Sequence, residues 1–122
     1  MLLKHNSPRR IPYIKEQRNT ALNNFEYMGN TFQCDPTSLT LISGRALKLT
    51  RQQLNNETVE NQVWRTTDNL FVTFTPNEFL EFAEEADAYV EQVYSQSWQQ
   101  IDGESNVWLP TISNTGSKSG SY

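Results

Sequence analysis

The sequence predicts an α+β domain: three helices packed on two short antiparallel β-hairpins, with an extended N-terminal arm and a C-terminal tail. Three observations carry this. Residues 63–74 read as a hairpin that runs straight into Thr75-Pro76-Asn77-Glu78, a capping box with proline at the first helical position. Phe79, Phe82, Ala83, Ala86, Val90, Val93, Tyr94 and Ser97 then fall on one helical stripe. Residues 25–55 echo the same order, a hairpin followed by a helix that starts on proline. Agreement among so many local signals marks a well-specified folding unit.

Residues 1–10 read as an arm, because the Ser7-Pro8 step disfavours helix before the proline. A first helix is expected from Ile11 to Asn24. Pro12 suits an early helical position, and Ile14, Arg18, Ala21, Leu22 and Phe25 share a stripe along which Arg18 can snorkel. Asn19, Asn23 and Asn24 are poor helix formers. Phe25 to Cys34 suggests a short hairpin turning on Gly29-Asn30, which supply positive-φ residues. The alternative is an irregular loop plugged into the core by its three aromatics.

Asp35 is the expected N-cap of a second helix, with Pro36 at its first position. Leu39, Ile42, Ala46 and Leu49 follow at helical spacing, with Gly44 inside the pattern. A glycine there costs ~1 kcal/mol against alanine, so a close crossing by another element is expected at Gly44. Residues 52–62 are polar and read as a helix end plus loop. In the second hairpin Trp64, Leu70, Phe71, Val72 and Phe74 favour strand, and Thr67-Asp68-Asn69 forms the turn. Acidic residues crowd the N-terminal half of the third helix, where the macrodipole favours them, and Gly103 is a natural stop. The body is thus residues 11–103 and the tail 104–122. Apart from Val107-Trp108-Leu109-Pro110 the tail has the composition of a disordered segment.

At 122 residues the chain is one domain by size. A body near 90 residues buries only about 60–65% of its unfolded surface, so partners matter to its stability. Net charge is −4. Lys4, Arg9, Arg10, Lys15 and Arg18 are concentrated near the start, whereas Glu78, Glu81, Glu84, Glu85, Asp87, Glu91, Asp102 and Glu104 have no basic neighbour in their stretch. A basic arm and an acidic helix can attract each other between subunits, or simply be two solvated faces. A pI near 4.9 argues against nucleic-acid binding. A single cysteine fits a reducing compartment or a particle assembled in one. No apolar run has the length of a signal peptide core or a membrane span.

Catalytic chemistry is not expected. His5, the only histidine, sits on the arm before a proline, away from any orienting carboxylate. Cys34 is separated from that histidine and reads as a buried small hydrophobe. One cysteine and one histidine do not make a zinc site, and no cofactor is expected. Glu81, Glu84 and Glu85 are neighbours on one outward helix face rather than a pair held across a cleft. Gly29, Gly44 and Gly103 fit no phosphate-cradling spacing. Trp64 and Trp98 lie in periodic elements and are expected in the core. Trp108 lies outside them and is the better interface anchor.

These elements resemble a known family. Its most specific part is Trp64-Arg65-Thr66-Thr67-Asp68-Asn69-Leu70, followed by Thr75-Pro76-Asn77-Glu78-Phe79. Before it come Arg18 to Leu22 (Arg-x-x-Ala-Leu), the stretch from Phe25 through Gly29 to Asp35, and Ile42-Ser43-Gly44. Together, over roughly residues 12–102, they resemble a bacteriophage domain of unknown function (DUF4376-like) found in tail-fibre and tail-associated proteins. The resemblance implies a structural part of the virion tail, made in the host bacterial cytoplasm, and not an enzyme. Many relatives carry the domain at the end of a longer fibre protein, whereas here it nearly fills the chain. That favours an adaptor or baseplate accessory over a receptor-binding shaft.

The partners expected are therefore other tail, fibre or baseplate proteins and further copies of this chain, without nucleic acid or membrane. Both extremities are expected to be ordered by neighbours in the assembly. The candidate interface residues are Leu2, Leu3, Arg9, Arg10, Trp108, Leu109, Pro110 and Tyr122. The structural motif is Trp64, Asp68, Asn69, Thr75, Pro76 and Glu78. Two other readings remain: a fibre-assembly chaperone absent from the mature particle, and a small regulatory module docking through its acidic helix.

Overall fold

Thr75 starts the element on which the rest of the molecule packs. Its hydroxyl accepts from the Glu78 amide at 3.2 Å, and the Glu78 carboxylate accepts from the Thr75 amide at 2.9 Å. Two orphan donors of the helix start are thereby satisfied. The computed structural model describes residues 9–102. In chain order they form α1 (Arg10–Leu22), β1 (Phe25–Tyr27), β2 (Asn30–Phe32), α2 (Pro36–Leu54), β3 (Gln62–Arg65), β4 (Phe71–Phe74) and α3 (Pro76–Ile101). Three helices and two separate two-stranded antiparallel sheets make an α+β fold, as expected.

The stripe expected on α3 is the core. Phe79, Phe82, Ala86, Val90, Val93 and Ser97 are buried, joined by Gln100 at the end of the same stripe. Phe82 lies at the centre. Its ring centroid is 6.1 Å from that of Phe25, 5.4 Å from Tyr27, 4.7 Å from Phe32, 4.9 Å from Phe74 and 5.4 Å from Phe79. Both hairpins therefore close on one side chain of one helix. Ile42 and Leu49 of α2, with Leu22 of α1 and Cys34, complete the cluster around it, and Ile14 of α1 is buried outside that cluster.

The first hairpin forms, with its turn one residue earlier than expected. Tyr27 pairs with Asn30 and Phe25 with Phe32, so the turn residues are Met28 and Gly29, at φ 51° and 82°. Two positive-φ residues in succession are the signature of a type I′ turn. The Gly29-Asn30 alternative would place Cys34 opposite Phe25. The Cys34 amide instead donates to the Leu22 carbonyl at 2.7 Å, which ties the hairpin's exit to the end of α1.

Helix α1 starts at Arg10, so the last residue assigned to the arm is helical. Its asparagine-rich end is less costly than propensity suggests. Thr20, Asn23 and Asn24 each donate a side-chain hydrogen bond to the carbonyl four residues earlier, at 3.1, 3.2 and 2.7 Å, so these polar side chains bond back onto the helix itself. In α2, Asp35 is the N-cap residue and Pro36 follows it, but the Asp35 side chain caps no amide. Its carboxylate accepts from the Ser38 hydroxyl at 2.6 Å. The far end is a Schellman motif on Asn56, at φ 57°. The Glu57 amide bonds the Gln52 carbonyl at 2.9 Å and the Asn56 amide bonds that of Gln53 at 3.1 Å.

Gly44 is not a crossing point. It lies on the exposed side of α2, and a Cβ built there meets nothing within 4 Å. Nothing in its surroundings offsets the conformational freedom that glycine loses in a helix. Gly44→Ala is expected to stabilise the domain by about 0.5–1 kcal/mol, read as a higher urea midpoint at unchanged m-value.

Candidate interaction site

The second hairpin is organised by a residue that the sequence pattern did not single out. Thr66 is buried, 3% exposed, at the head of the five-residue connection between β3 and β4. Its hydroxyl donates to the Asp68 carboxylate at 2.8 Å and accepts from the Leu70 amide at 3.0 Å. Its own amide donates to the Leu70 carbonyl at 2.8 Å, and its carbonyl accepts from Asn69 at 3.1 Å, where the chain turns at φ 67°. The Thr67 amide then donates to the Thr31 carbonyl of the first hairpin at 2.8 Å. Trp64, Asp68 and Asn69 therefore form a structural corner. Trp64 packs against Phe79 at 5.1 Å with the ring planes tilted by 58°, under the guanidinium of Arg45, which also donates to Gln62 at 2.6 Å. Leu70, expected in the strand, belongs to this connection.

The other face of this hairpin is uncovered. Val63, Leu70 and Phe71 are 53%, 59% and 63% exposed, and the Arg65 guanidinium lies 5.1 Å over the Phe71 ring. Trp64, Val72 and Phe74 point to the core side, so strand alternation alone sends Val63, Arg65 and Phe71 outward. Across the ladder Val63 faces Thr73 and Arg65 faces Phe71, so this outward face carries exposed apolar side chains beside a threonine and an arginine. A second surface is a groove of about 520 Å³ between α2 and α3. Ala46, Leu80 and Ala83 are among its apolar lining, and Glu81, Glu84 and Asp87 line its α3 side.

Of the expected interface residues, Leu2, Leu3, Trp108, Leu109, Pro110 and Tyr122 lie outside the described residues, as do His5 and Gly103 and any ordering of the two extremities. Arg9 is exposed at the N-cap of α1. Arg10 faces inward, its guanidinium donating to the Ile101 carbonyl at 3.0 Å. Trp98 is not in the core. It is 40% exposed and packs on Tyr94 at 5.8 Å, because the stripe of α3 passes through Ser97 and Gln100 on the side facing α1. There the Arg18 head does not snorkel to water as expected but turns into the seam, 4.6 Å over the Tyr94 ring, and donates to the buried Ser97 hydroxyl at 3.3 Å. Tyr89 closes the other end of this seam, donating to the Ala21 carbonyl at 2.7 Å.

Cys34 is fully buried, as expected, and burial, with a smaller contribution from Asp35, pushes its thiol up to about 12. A thiol held protonated is neither nucleophile nor ligand at neutral pH. Burial also raises Tyr27, helped by Glu81, Glu85 and Glu78, and raises Tyr89, helped by Cys34 and Glu26. Glu81, Glu84 and Glu85 are exposed on the outward side of α3. Among the described residues no three His, Cys, Asp or Glu side chains are grouped to hold a metal ion. No helix among them is long and apolar enough to cross a membrane.

The corner and the thiol can each be tested by substitution. Thr66→Val keeps the shape but removes both hydroxyl bonds. It is expected to cost about 1–3 kcal/mol in chemical denaturation and to speed hydrogen exchange at the Leu70 amide. Cys34 has a folded-state value near 12, above its ordinary 9.0. The native chain keeps a proton that the unfolded chain has lost, so stability is full below about pH 9 and falls as pH rises toward 12. Denaturation midpoints across that window are expected to fall, less steeply in Cys34→Ala.

No curated protein and no solved structure matches this chain. A family model described as Domain of unknown function (DUF4376) matches residues 7–103, from just before α1 to just past α3, and the chain belongs to that family.

Proposed function

We propose that this protein is a structural component of a bacteriophage tail, an adaptor or accessory of the tail fibre or baseplate. It works by binding neighbouring subunits, with no reaction of its own. The resemblance of its hairpin–helix motifs to tail-associated proteins supplies the setting. The observation that best supports the mode of action is the bond from Arg10 to the Ile101 carbonyl. It brings the start of α1 and the end of α3 together, so the arm and the tail leave the body at one pole. That pole becomes the place of fastening, through Leu2 and Leu3 on one side and Trp108, Leu109, Pro110 and Tyr122 on the other. The uncovered Val63, Leu70 and Phe71 face offers the body a second contact.

Deletion of residues 104–122 tests the proposal. The remaining chain contains every buried residue of the aromatic core and is expected to keep its circular dichroism and cooperative unfolding. Mass spectrometry of purified particles should find the full chain and not the truncated one. Normal incorporation of the truncated chain refutes fastening through the tail. Absence of the full chain from particles, with abundance in the infected lysate, indicates the assembly chaperone instead.

A further inference from the structure

The groove between α2 and α3 has two unlike sides. Ala46, Leu80 and Ala83 give it apolar surface, Glu81, Glu84 and Asp87 stand on its α3 side, and no basic side chain among the described residues lines it. On α2, Leu47 lies one turn from both Ser43 and Thr50 of the lining, and Leu54 one turn beyond Thr50. These leucines, 58% and 77% exposed, continue the apolar surface outward. The volume of about 520 Å³ is in the range of clefts that hold a ligand or a short peptide, ~300–1,000 Å³. The carboxylates of this stretch already act at a distance, Glu81 contributing to the raised hydroxyl of Tyr27.

One segment of this chain has the matching pattern. The arm begins Met1-Leu2-Leu3 and continues Lys4-His5, with Arg9 and Arg10 further on: apolar first, then basic. Its own body holds the groove toward the other end of α3. Arg10 is bonded to the Ile101 carbonyl, so the arm starts at the C-terminal end of α3. From Ile101 back to Asp87, the groove carboxylate nearest that end, the helix covers about 21 Å at ~1.5 Å per residue, and back to Glu84 about 25 Å. From Arg9 to Lys4 even a fully extended chain spans only about 17 Å at ~3.3–3.6 Å per residue.

We infer that the α2–α3 groove receives the N-terminal arm of a second copy of this chain, with Leu2 and Leu3 on its apolar surface and Lys4 against Glu81, Glu84 and Asp87. The inference rests on the proposal that the protein is fastened through its extremities, and it names the receiving surface for one of them. Contact of this kind is sensitive to salt, because exposed charges are screened over about 10 Å at 0.1 M.

A charge swap on the full chain tests it by sedimentation equilibrium at low and at high salt. The native chain is expected to self-associate, more weakly at the higher salt. Glu84→Lys alters an exposed side chain and Lys4→Glu a residue of the arm, and each alone is expected to weaken association at least tenfold. Mixed one to one, the two variants restore both pairings. The acidic arm of the Lys4→Glu chain meets the basic groove of the Glu84→Lys chain, and the unaltered arm of the latter meets the unaltered groove of the former. The mixture is expected to associate within about threefold of the native chain. A native chain that stays monomeric at millimolar concentration overturns the inference. So does association that neither substitution weakens, or a mixture that fails to recover. Particle mass spectrometry keeps the two proposals apart. A chain that enters particles but fails the swap sinks only the arm-to-groove contact. One that passes the swap but is absent from particles sinks only the tail assignment.

Discussion

A single phenylalanine ring reconciles two hairpins that are each too small to stand alone. Two-stranded ribbons are marginal in water unless a face is covered, and here β1–β2 and β3–β4 share no ladder. Phe82 covers both. It takes Phe25, Tyr27 and Phe32 from the first hairpin and Phe74 from the second, with Phe79 one turn away on its own helix. Offset and edge-on ring pairs add to ordinary burial, by about 0.5–1.5 kcal/mol each. Both hairpins must therefore present their aromatics at the same level of α3. The Thr75 capping box fixes that level, since it sets where the helix starts relative to β4, which ends at Phe74.

The same constraint explains where the molecule is firm and where it is open. The Thr66 corner and the bond from Thr67 to Thr31 lock the hairpins to each other on the side that faces the helix. Nothing in the described residues covers the other side of β3–β4. Helix α1 is held by buried Ile14 and Leu22 and, beside them, by a polar seam in which Arg18 meets Tyr94 and Ser97, with buried Gln100 further along the same stripe of α3. Gln100 is 8% exposed, and its amide nitrogen has no hydrogen-bond partner among the described residues. A buried polar group left unpaired costs about 1–3 kcal/mol, so the α1–α3 seam is less stable than the aromatic centre. Free energies of local opening are lowest at such places. This seam ends at the pole from which both extremities depart.

Much of this was legible in the chain because it is local. The helix stripes, the capping box and the presence of two hairpins depend on spacing within a few residues, and they formed as the spacing implied. The errors lie where a distant partner decides. The first turn moved to Met28-Gly29 because Leu22, in another element, takes the Cys34 amide. Gly44 reads like a crossing point, but only the packing of α2 shows that its side of the helix meets no neighbour. Trp98 was displaced from the core by Ser97, a smaller and more polar neighbour whose hydroxyl is used by Arg18. Thr66 carried a faint signal: a threonine two residues before an Asp-Asn pair can bond the turn it precedes. The link from the next residue, Thr67, to Thr31 of the other hairpin is one that no local pattern connects. The α2–α3 groove is invisible at the level of one helix, since its apolar surface and its acidic side come from both.

Position along α3 gives these surfaces a direction. The arm departs where α3 ends, whereas the groove occupies the stretch from Leu80 to Asp87 near the helix start. A contact from arm to groove therefore joins unlike patches on the two copies. Such a heterologous contact generates a ring where the rotation between copies closes and an open row where it does not. A two-fold pair is also reachable if two copies exchange arms reciprocally, but this requires their α3 helices to run antiparallel so that each departing pole lies beside the other's groove. The carboxylates of α3 would then stand along the inside of the pair, facing the other copy's Lys4 rather than one another. The acidic excess of α3, which adds nothing to the aromatic core, acquires a physical purpose in either arrangement: it selects the arm among apolar segments and keeps two bare grooves from closing on each other.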